Sequence, residues 1–192
     1  MICVSDMTLG ILAGGRATRL GGCDKAWLER NGEPQVLRIA RRFAPEVSAT
    51  LVSANRDDAR YVEHGLVVIR DRIADAGPLG GLDALARACN THWLLTIPVD
   101  LVGVNECLLP SLVAAAGGDG AFAHDDDGPQ PLVALWRVDS LHHAATKALA
   151  TGSHAVHVLQ ARLRMPPVRF AGVRFGNLNT PDDLLASGIA RA

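Results

Sequence analysis

The sequence predicts an α/β fold of three layers, α/β/α, with helices on both faces of a Rossmann-like, open, twisted and mostly parallel sheet that carries one antiparallel element. Three observations lead there. From Thr8 to Ala116, short aliphatic or β-branched runs alternate with segments of helical periodicity in the order β-α-β-α-β-α-β-α, the pattern of parallel strands joined by right-handed helical crossovers. From Gly120 that alternation loosens, which suits an antiparallel strand in a mixed sheet. The chain of 192 residues is 48% hydrophobic and no Ser/Gly-rich linker or charge block divides it, so residues 1–192 are expected to form one domain around one core.

The elements follow in order. Thr8 to Leu12 is a buried strand. Gly32, Glu33 and Pro34 open a helix in which Val36, Leu37, Ala40 and Phe43 recur at helical spacing, leaving Arg38, Arg41 and Arg42 on a wet face. Thr50 to Ala54 and Leu66 to Ile69 are short strands, and the polar segment from Arg56 to Glu63 between them fits a brief helix. Gly77 and Pro78 start a helix with Leu79, Leu82, Leu85, Ala86 and Cys89 along one stripe. His92 to Ile97 is a strand stopped by Pro98, and Glu106 to Ala116 is a helix ended by Gly117 and Gly118. Strands near Ala121 to Ala123 and Leu132 to Trp136 flank an acidic turn, and helices follow around Ser140 to Ala150 and His154 to Leu163. Val168 to Phe170 and Val173 to Phe175 read as terminal strands, and Thr180, Pro181, Asp182 and Asp183 cap a last helix ending near Gly188.

The most informative segment is the glycine-rich, basic run from Leu12 to Lys25, directly after the first strand. Gly14 and Gly15 let backbone N–H groups approach phosphate oxygens with no side chain in the way, and Arg16, Arg19 and Lys25 add positive charge. This is a cradle for a nucleoside triphosphate. The spacing excludes both Gly-x-x-x-x-Gly-Lys-Ser/Thr and Gly-x-Gly-x-x-Gly.

In an open α/β sheet, ligands sit outside the carboxyl ends of the strands. Ser53 and Asn55 follow the second strand, Asp71 the third and Asp100 the fourth, so all are expected on the rim that bears the cradle. Asp100 is the candidate Mg²⁺ ligand, since one carboxylate plus triphosphate oxygens and water satisfies that ion. Asp71 can bind metal or accept a hydrogen bond from a base or sugar. Gly77 to Gly81 can pack against a flat base or can allow close contact between helix and sheet.

The formal net charge of −1 gives no general attraction for nucleic acid or anionic membrane. The first residues lack a signal-peptide pattern and no stretch is long and apolar enough to span a bilayer, so a cytoplasmic location is expected. Cys3, Cys23, Cys89 and Cys107 form no Cys-x-x-Cys pair and read as reduced thiols. No Ser-His-Asp or Cys-His triad is visible, and His154 and His157 lack a third ligand for zinc. A phosphate acceptor explains the missing nucleophile, because its oxygen is already anionic at neutral pH. The turn from His124 to Gly128 reads as a solvated hairpin tip. Gln130 enters the next strand facing the acceptor side, while Asn177 and Asn179 either form Asx turns or hold a polar ring.

Taken in order, Leu12-Ala13-Gly14-Gly15, Arg19, Gly21-Gly22, Asp24-Lys25, Gly77-Pro78-Leu79, Pro98-x-Asp100, Gln130-Pro131 and Asn177-x-Asn179-Thr180-Pro181 resemble the molybdenum cofactor guanylyltransferases, relatives of the sugar-nucleotide transferases. The resemblance implies Mg²⁺-dependent transfer of GMP from GTP to the terminal phosphate of molybdopterin, with pyrophosphate released. It also implies a nucleotide-binding N-terminal half, an acceptor-binding C-terminal half, and cofactor-insertion proteins and molybdoenzymes as downstream partners. Carried over by position, Leu12, Ala13, Gly14, Gly15, Ser53 and Asp71 contact the nucleotide, Arg19 and Lys25 its phosphates, and Asp100 its metal, with Arg19, Lys25 and Asp100 as the catalytic set. Gln130, Asn177, Asn179 and Thr180 face the acceptor. Ser53 stands where the family often has asparagine. Leu12-Ala13-Gly14-Gly15 favours GTP over the CTP used by relatives with Ala-Ala-Gly. The alternatives are transfer from CTP, a sugar or polyol phosphate acceptor, and a nucleotide-sensing or cofactor-delivery subunit without chemistry.

Overall fold

The computed structural model of the chain describes residues 2–14, 24–176, 178, 183 and 189–190. Along the chain come β1 (Met7–Leu12), a hairpin of β2 (Glu29–Arg30) and β3 (Glu33–Pro34), α1 (Gln35–Phe43), β4 (Ala49–Ser53), α2 (Asp58–Glu63), β5 (Val67–Ile69), α3 (Pro78–Ala88) and β6 (Trp93–Pro98). Then follow α4 (Leu108–Ala115), β7 (Gly120–Asp125), β8 (Gly128–Arg137), α5 (Val138–Ala150), α6 (Val156–Arg162), β9 (Pro167–Arg169) and β10 (Ile189–Ala190).

A 7-stranded sheet has the order β5-β4-β1-β6-β8-β7-β9. All its neighbours pair in parallel except β6 with β8 and β8 with β7, so β8 alone runs against the rest. The mostly parallel sheet with an antiparallel element is therefore borne out. The chain leaves β1 towards β4 on one side, and after β5 returns through α3 to β6 on the other. That reversal opens a crevice at the carboxyl end of β1, where Leu12 is level with Ser53 and with Pro98.

Side-chain alternation sends residues from one strand to two cores. Leu9 and Ile11 of β1, Leu95 and Ile97 of β6 and Leu135 of β8 pack with Val36, Ile39 and Phe43 of α1 and Leu108 and Leu112 of α4. On the other face Leu12, Leu94, Ala134 and Trp136 pack with Leu79, Leu82 and Leu85 of α3, Leu141 and Ala145 of α5 and Leu159 of α6. Thr96 is a polar residue of β6 buried in the second core. Its hydroxyl donates to the Leu132 carbonyl at 2.8 Å and accepts from the Trp136 indole N–H at 2.8 Å.

The structure corrects several of the expected elements. The expected helix follows directly on Pro34, its N-cap, but Gly32 and Glu33 belong to what precedes it: Asn31 and Gly32, at φ 55° and 77°, turn a hairpin whose strand β2 also pairs with β10 in a second, 3-stranded sheet. Positive φ at both turn positions is the geometry that Asn-Gly supplies at least cost. Arg38 is half-buried rather than part of a wet face, and its guanidinium donates to the Leu101 carbonyl at 3.1 Å. Val173 to Phe175 join no sheet, because the amides of Asp126, Val102 and Gly103 take the carbonyls of Val173 and Phe175 instead. Apart from Asp183, the expected last helix lies outside the described residues.

Candidate active site

The carboxyl end of β1 is held from both sides. The Leu12 carbonyl accepts from the Val99 amide at 3.0 Å, and the Ala13 amide donates to the Ser53 carbonyl at 2.9 Å. Gly14 emerges exposed beside Asn55. Gly15, Arg16, Arg19, Gly21 and Gly22 lie outside the described residues.

The chain re-enters at Asp24, which caps a 3-10 turn over Lys25–Trp27 by accepting from the Ala26 amide at 2.9 Å. Burial pushes the Asp24 carboxyl above its usual range, against the opposing effect of that amide. Trp27 anchors the turn, buried with its ring 4.9 Å from that of Tyr61 and covered by the Arg60 guanidinium at 4.2 Å. So fixed, Lys25 places Nζ 2.9 Å from Oδ2 of Asp100, with the two side chains 19% and 22% exposed. A cation from the first loop and a carboxylate from the end of β6 therefore meet at the crevice, as the carboxyl-end rule predicts.

The other rim residues form a second constellation. Asp71 accepts from the Ser53 hydroxyl at 3.1 Å on one oxygen and from the Asn55 carboxamide at 3.1 Å on the other, while its amide donates to Asn55 Oδ1 at 3.0 Å. Ser53 is buried beneath this arrangement and Asn55 is exposed above it. The Gly-Pro-Leu-Gly-Gly segment packs against it: a Cβ on Gly81 would stand 2.7 Å from the Ser53 hydroxyl and 2.8 Å from a Leu12 methyl. Close contact between helix and sheet thus accounts for Gly81. Gly77, at φ 61° and ψ −152°, takes a conformation open essentially to glycine alone, just before Pro78 at the helix start. Asp83 of α3, 2% exposed, receives Arg87 at 3.1 Å and Arg72 at 3.4 Å, which ties the residue after Asp71 back to the helix.

Of the residues expected on the acceptor side, Gln130 is described, and it meets Asp125. Its carboxylate is buried, not solvated, and accepts from the Phe175 amide at 2.8 Å, the Asp127 amide at 3.0 Å and the Gln130 carboxamide at 3.1 Å. Burial opposes its charge, but these donors, led by Phe175, hold its pKa below the usual carboxylate range. Phase by phase the chain then reaches Asp100: the Phe175 carbonyl accepts from the amides of Val102 and Gly103 at 3.1 and 2.7 Å, and the Leu178 amide donates to the Asp100 carbonyl at 3.0 Å. Asn177, Asn179 and Thr180 lie outside the described residues, but Leu178 between them sits against the Asp100 loop. Sequence reading missed Asp125, whose signal was the alternation of β7 that turns it inward with Ala121 and Ala123.

Among the described residues no three His, Cys, Asp or Glu side chains converge as a metal cluster. Mg²⁺ needs none when a nucleotide brings oxygens of its own, and a single carboxylate at the crevice mouth is a donor that fits it. Asp100 meets that requirement.

Residues 9–165 match the family described as the MobA-like NTP transferase domain. The molybdenum cofactor guanylyltransferase of Yersinia pseudotuberculosis is 35% identical over 182 residues, covering 93% of each chain. That of Cupriavidus necator is 34% identical over 194 residues, covering 96% of this chain and 97% of the relative. The crystal structure of molybdopterin-guanine dinucleotide biosynthesis protein A from Archaeoglobus fulgidus superposes with a TM-score of 0.72 at 22% identity, covering 94% of this chain and 96% of that one, a likeness of fold. The chain belongs to the MobA-like NTP transferase family, among the molybdenum cofactor guanylyltransferases.

Proposed function

We propose that the chain transfers GMP from GTP to the terminal phosphate of molybdopterin, and does so in the cytoplasm; its relatives' names support a guanylyl transfer to the molybdenum cofactor. The observation that carries this reading is the Lys25–Asp100 pair at the mouth of the β1 crevice, between a glycine-rich loop and the strand end of β6. An oxygen of the acceptor phosphate forms a bond to the α-phosphorus while the bond from that phosphorus to the bridging oxygen breaks, and pyrophosphate leaves with the electron pair. No proton has to be removed from the attacking oxygen, so the chain's task is alignment and charge neutralisation.

Lys25 neutralises phosphate charge, and Asp100, which keeps that ammonium in place, would hold Mg²⁺. When bound, Mg²⁺ would draw the triphosphate oxygens together and offset their charge. Leu12, Ala13, Gly14 and Gly15 let the nucleotide approach the backbone, and Arg19 adds charge to the phosphates. Asp71 and Asn55 present hydrogen-bonding groups to the nucleoside, and Ser53 contributes by orienting Asp71. Gln130 acts on the acceptor side through Asp125, alongside Asn177, Asn179 and Thr180. Cofactor-insertion proteins and molybdoenzymes would receive the product.

Incubation of the full chain with labelled GTP, Mg²⁺ and molybdopterin tests the reading. Label on the pterin with stoichiometric pyrophosphate release is expected. Label only on a sugar phosphate, or preference for CTP, would overturn it.

A further inference from the structure

A second concentration of positive charge lies away from Lys25, where α1 meets the β2–β3 hairpin. A depression of about 440 Å³ is lined by Arg30, Asn31, Glu33, Arg38, Arg41 and Arg42, over an apolar floor of Ile39, Phe43 and Val104. Two of its guanidiniums are offset by carboxylates: Arg41 makes a two-bonded pair with Glu33 at 2.8 Å for each bond, and Arg42 pairs with Glu46. The other two meet only neutral acceptors among the described residues. Arg38 donates to Gln35 Oε1 at 2.7 Å and the Leu101 carbonyl at 3.1 Å, and Arg30 reaches the Val102 carbonyl at 3.5 Å.

Holding guanidiniums that bond no carboxylate side by side in a half-buried recess is unfavourable unless an anion completes them. Burial first, then the neighbouring Arg30 charge, push the Arg38 pKa down, and the Glu33 carboxylate offsets this only in part. Guanidinium forks match the oxygens of a phosphate in number and direction, and each Arg here keeps N–H groups beyond those its protein partners take. The proposed nucleotide reaction uses none of these residues.

We infer that this recess is a second binding site, for the phosphoryl group of a small molecule, held between Arg30 and Arg38 with Arg41 at its mouth. Two of its arginines bond the carbonyls of Leu101 and Val102, directly after Asp100. The inference does not depend on which nucleotide or acceptor the crevice takes.

Calorimetric titration of the full-length Lys25→Ala chain, in which the phosphate cradle is weakened, isolates the recess. Inorganic phosphate and phenyl phosphate are the probes. One saturable equivalent is expected, weakened at least tenfold by adding Arg38→Gln or Arg41→Glu. Arg41 is 71% exposed, so Arg41→Glu keeps the test valid even where Arg38→Gln disturbs folding. Tighter binding of phenyl phosphate would identify a phosphomonoester whose body lies over Ile39 and Val104, and equal binding the free ion; both support the site. No saturable binding, or binding untouched by Arg41→Glu, would overturn it. GTP turnover of the unsubstituted chain is measured separately, so a failed guanylyl transfer is told apart from an empty recess.

Discussion

Leu178 donates its amide to the carbonyl of Asp100 at 3.0 Å, so the residue whose carboxylate faces Lys25 is also fastened, through its backbone, to the segment bearing Asn177 and Asn179. On the proposed function, nucleotide side and acceptor side share one residue. Substitution of its side chain should therefore separate chemistry from architecture.

Asp100→Asn leaves that backbone bond in place but removes the charge facing Lys25. Turnover is expected to fall by about a hundredfold or more, the scale of losing one key charge stabiliser, with the unfolding midpoint nearly unchanged. Lys25→Ala should behave alike. Pyrophosphate release beside urea unfolding gives the check, and near-normal rates in both variants would remove the pair from the mechanism.

Asp125 supplies a prediction in pH. Its folded-state pKa is depressed, so its contribution to stability is fully present above the unfolded carboxylate value of about 3.9 and is lost as pH falls through the folded value. Asp125→Asn turns an amide group toward at least one N–H donor and should cost about 1–3 kcal/mol at pH 7. The gap between the two proteins should narrow as pH drops below about 3.9. Equal urea midpoints at neutral pH would contradict the role.

Gly81→Ala puts a methyl against Ser53 and Leu12. Alanine's better helix propensity returns about 1 kcal/mol, but overpacking costs about 1–3 kcal/mol, so a small net loss of stability is expected. The clearer readout is catalytic: displacement of Ser53 disturbs Asp71, so KM for the nucleotide should rise several-fold while kcat changes less. An unchanged KM would disconnect Asp71 from nucleotide binding.

Thr96→Val strands the buried Trp136 indole N–H without its acceptor. A loss of about 1–3 kcal/mol is expected, together with a shift in tryptophan emission and no direct effect on turnover. Unfolding curves that overlay the parent's would show the bond to contribute little.

The alternation that places β1, β4, β5 and β6 was legible because apolar periodicity and glycine or proline stops are local properties. It carried the site as far as the rim: Ser53, Asn55, Asp71 and Asp100 fall where strand ends put them. What it did not show is which of them touch. The pairing of Lys25 with Asp100, and of Asp71 with both Ser53 and Asn55, depends on strand order, which spacing does not encode. The Asn31-Gly32 hairpin was not read, because Pro34 suits a helix start and Arg30 and Glu33 offer no apolar alternation to mark strands. Val173 to Phe175 have strand-like residues, yet their hydrogen-bonding groups go to a distant carboxylate and loop, a non-local choice. Asp125 was hidden by its neighbours, since Asp126 and Asp127 are exposed as an acidic turn should be.

The pairing of β10 with β2 also bears on how the molecule comes together. A two-stranded hairpin alone is marginal in water, so β2 and β3 gain their third strand only when a stretch from the far end of the sequence returns to them. Closing so long a loop is entropically late, which makes this small sheet a finishing step in folding rather than a nucleus, while the turn carrying Lys25 lies immediately before it in sequence.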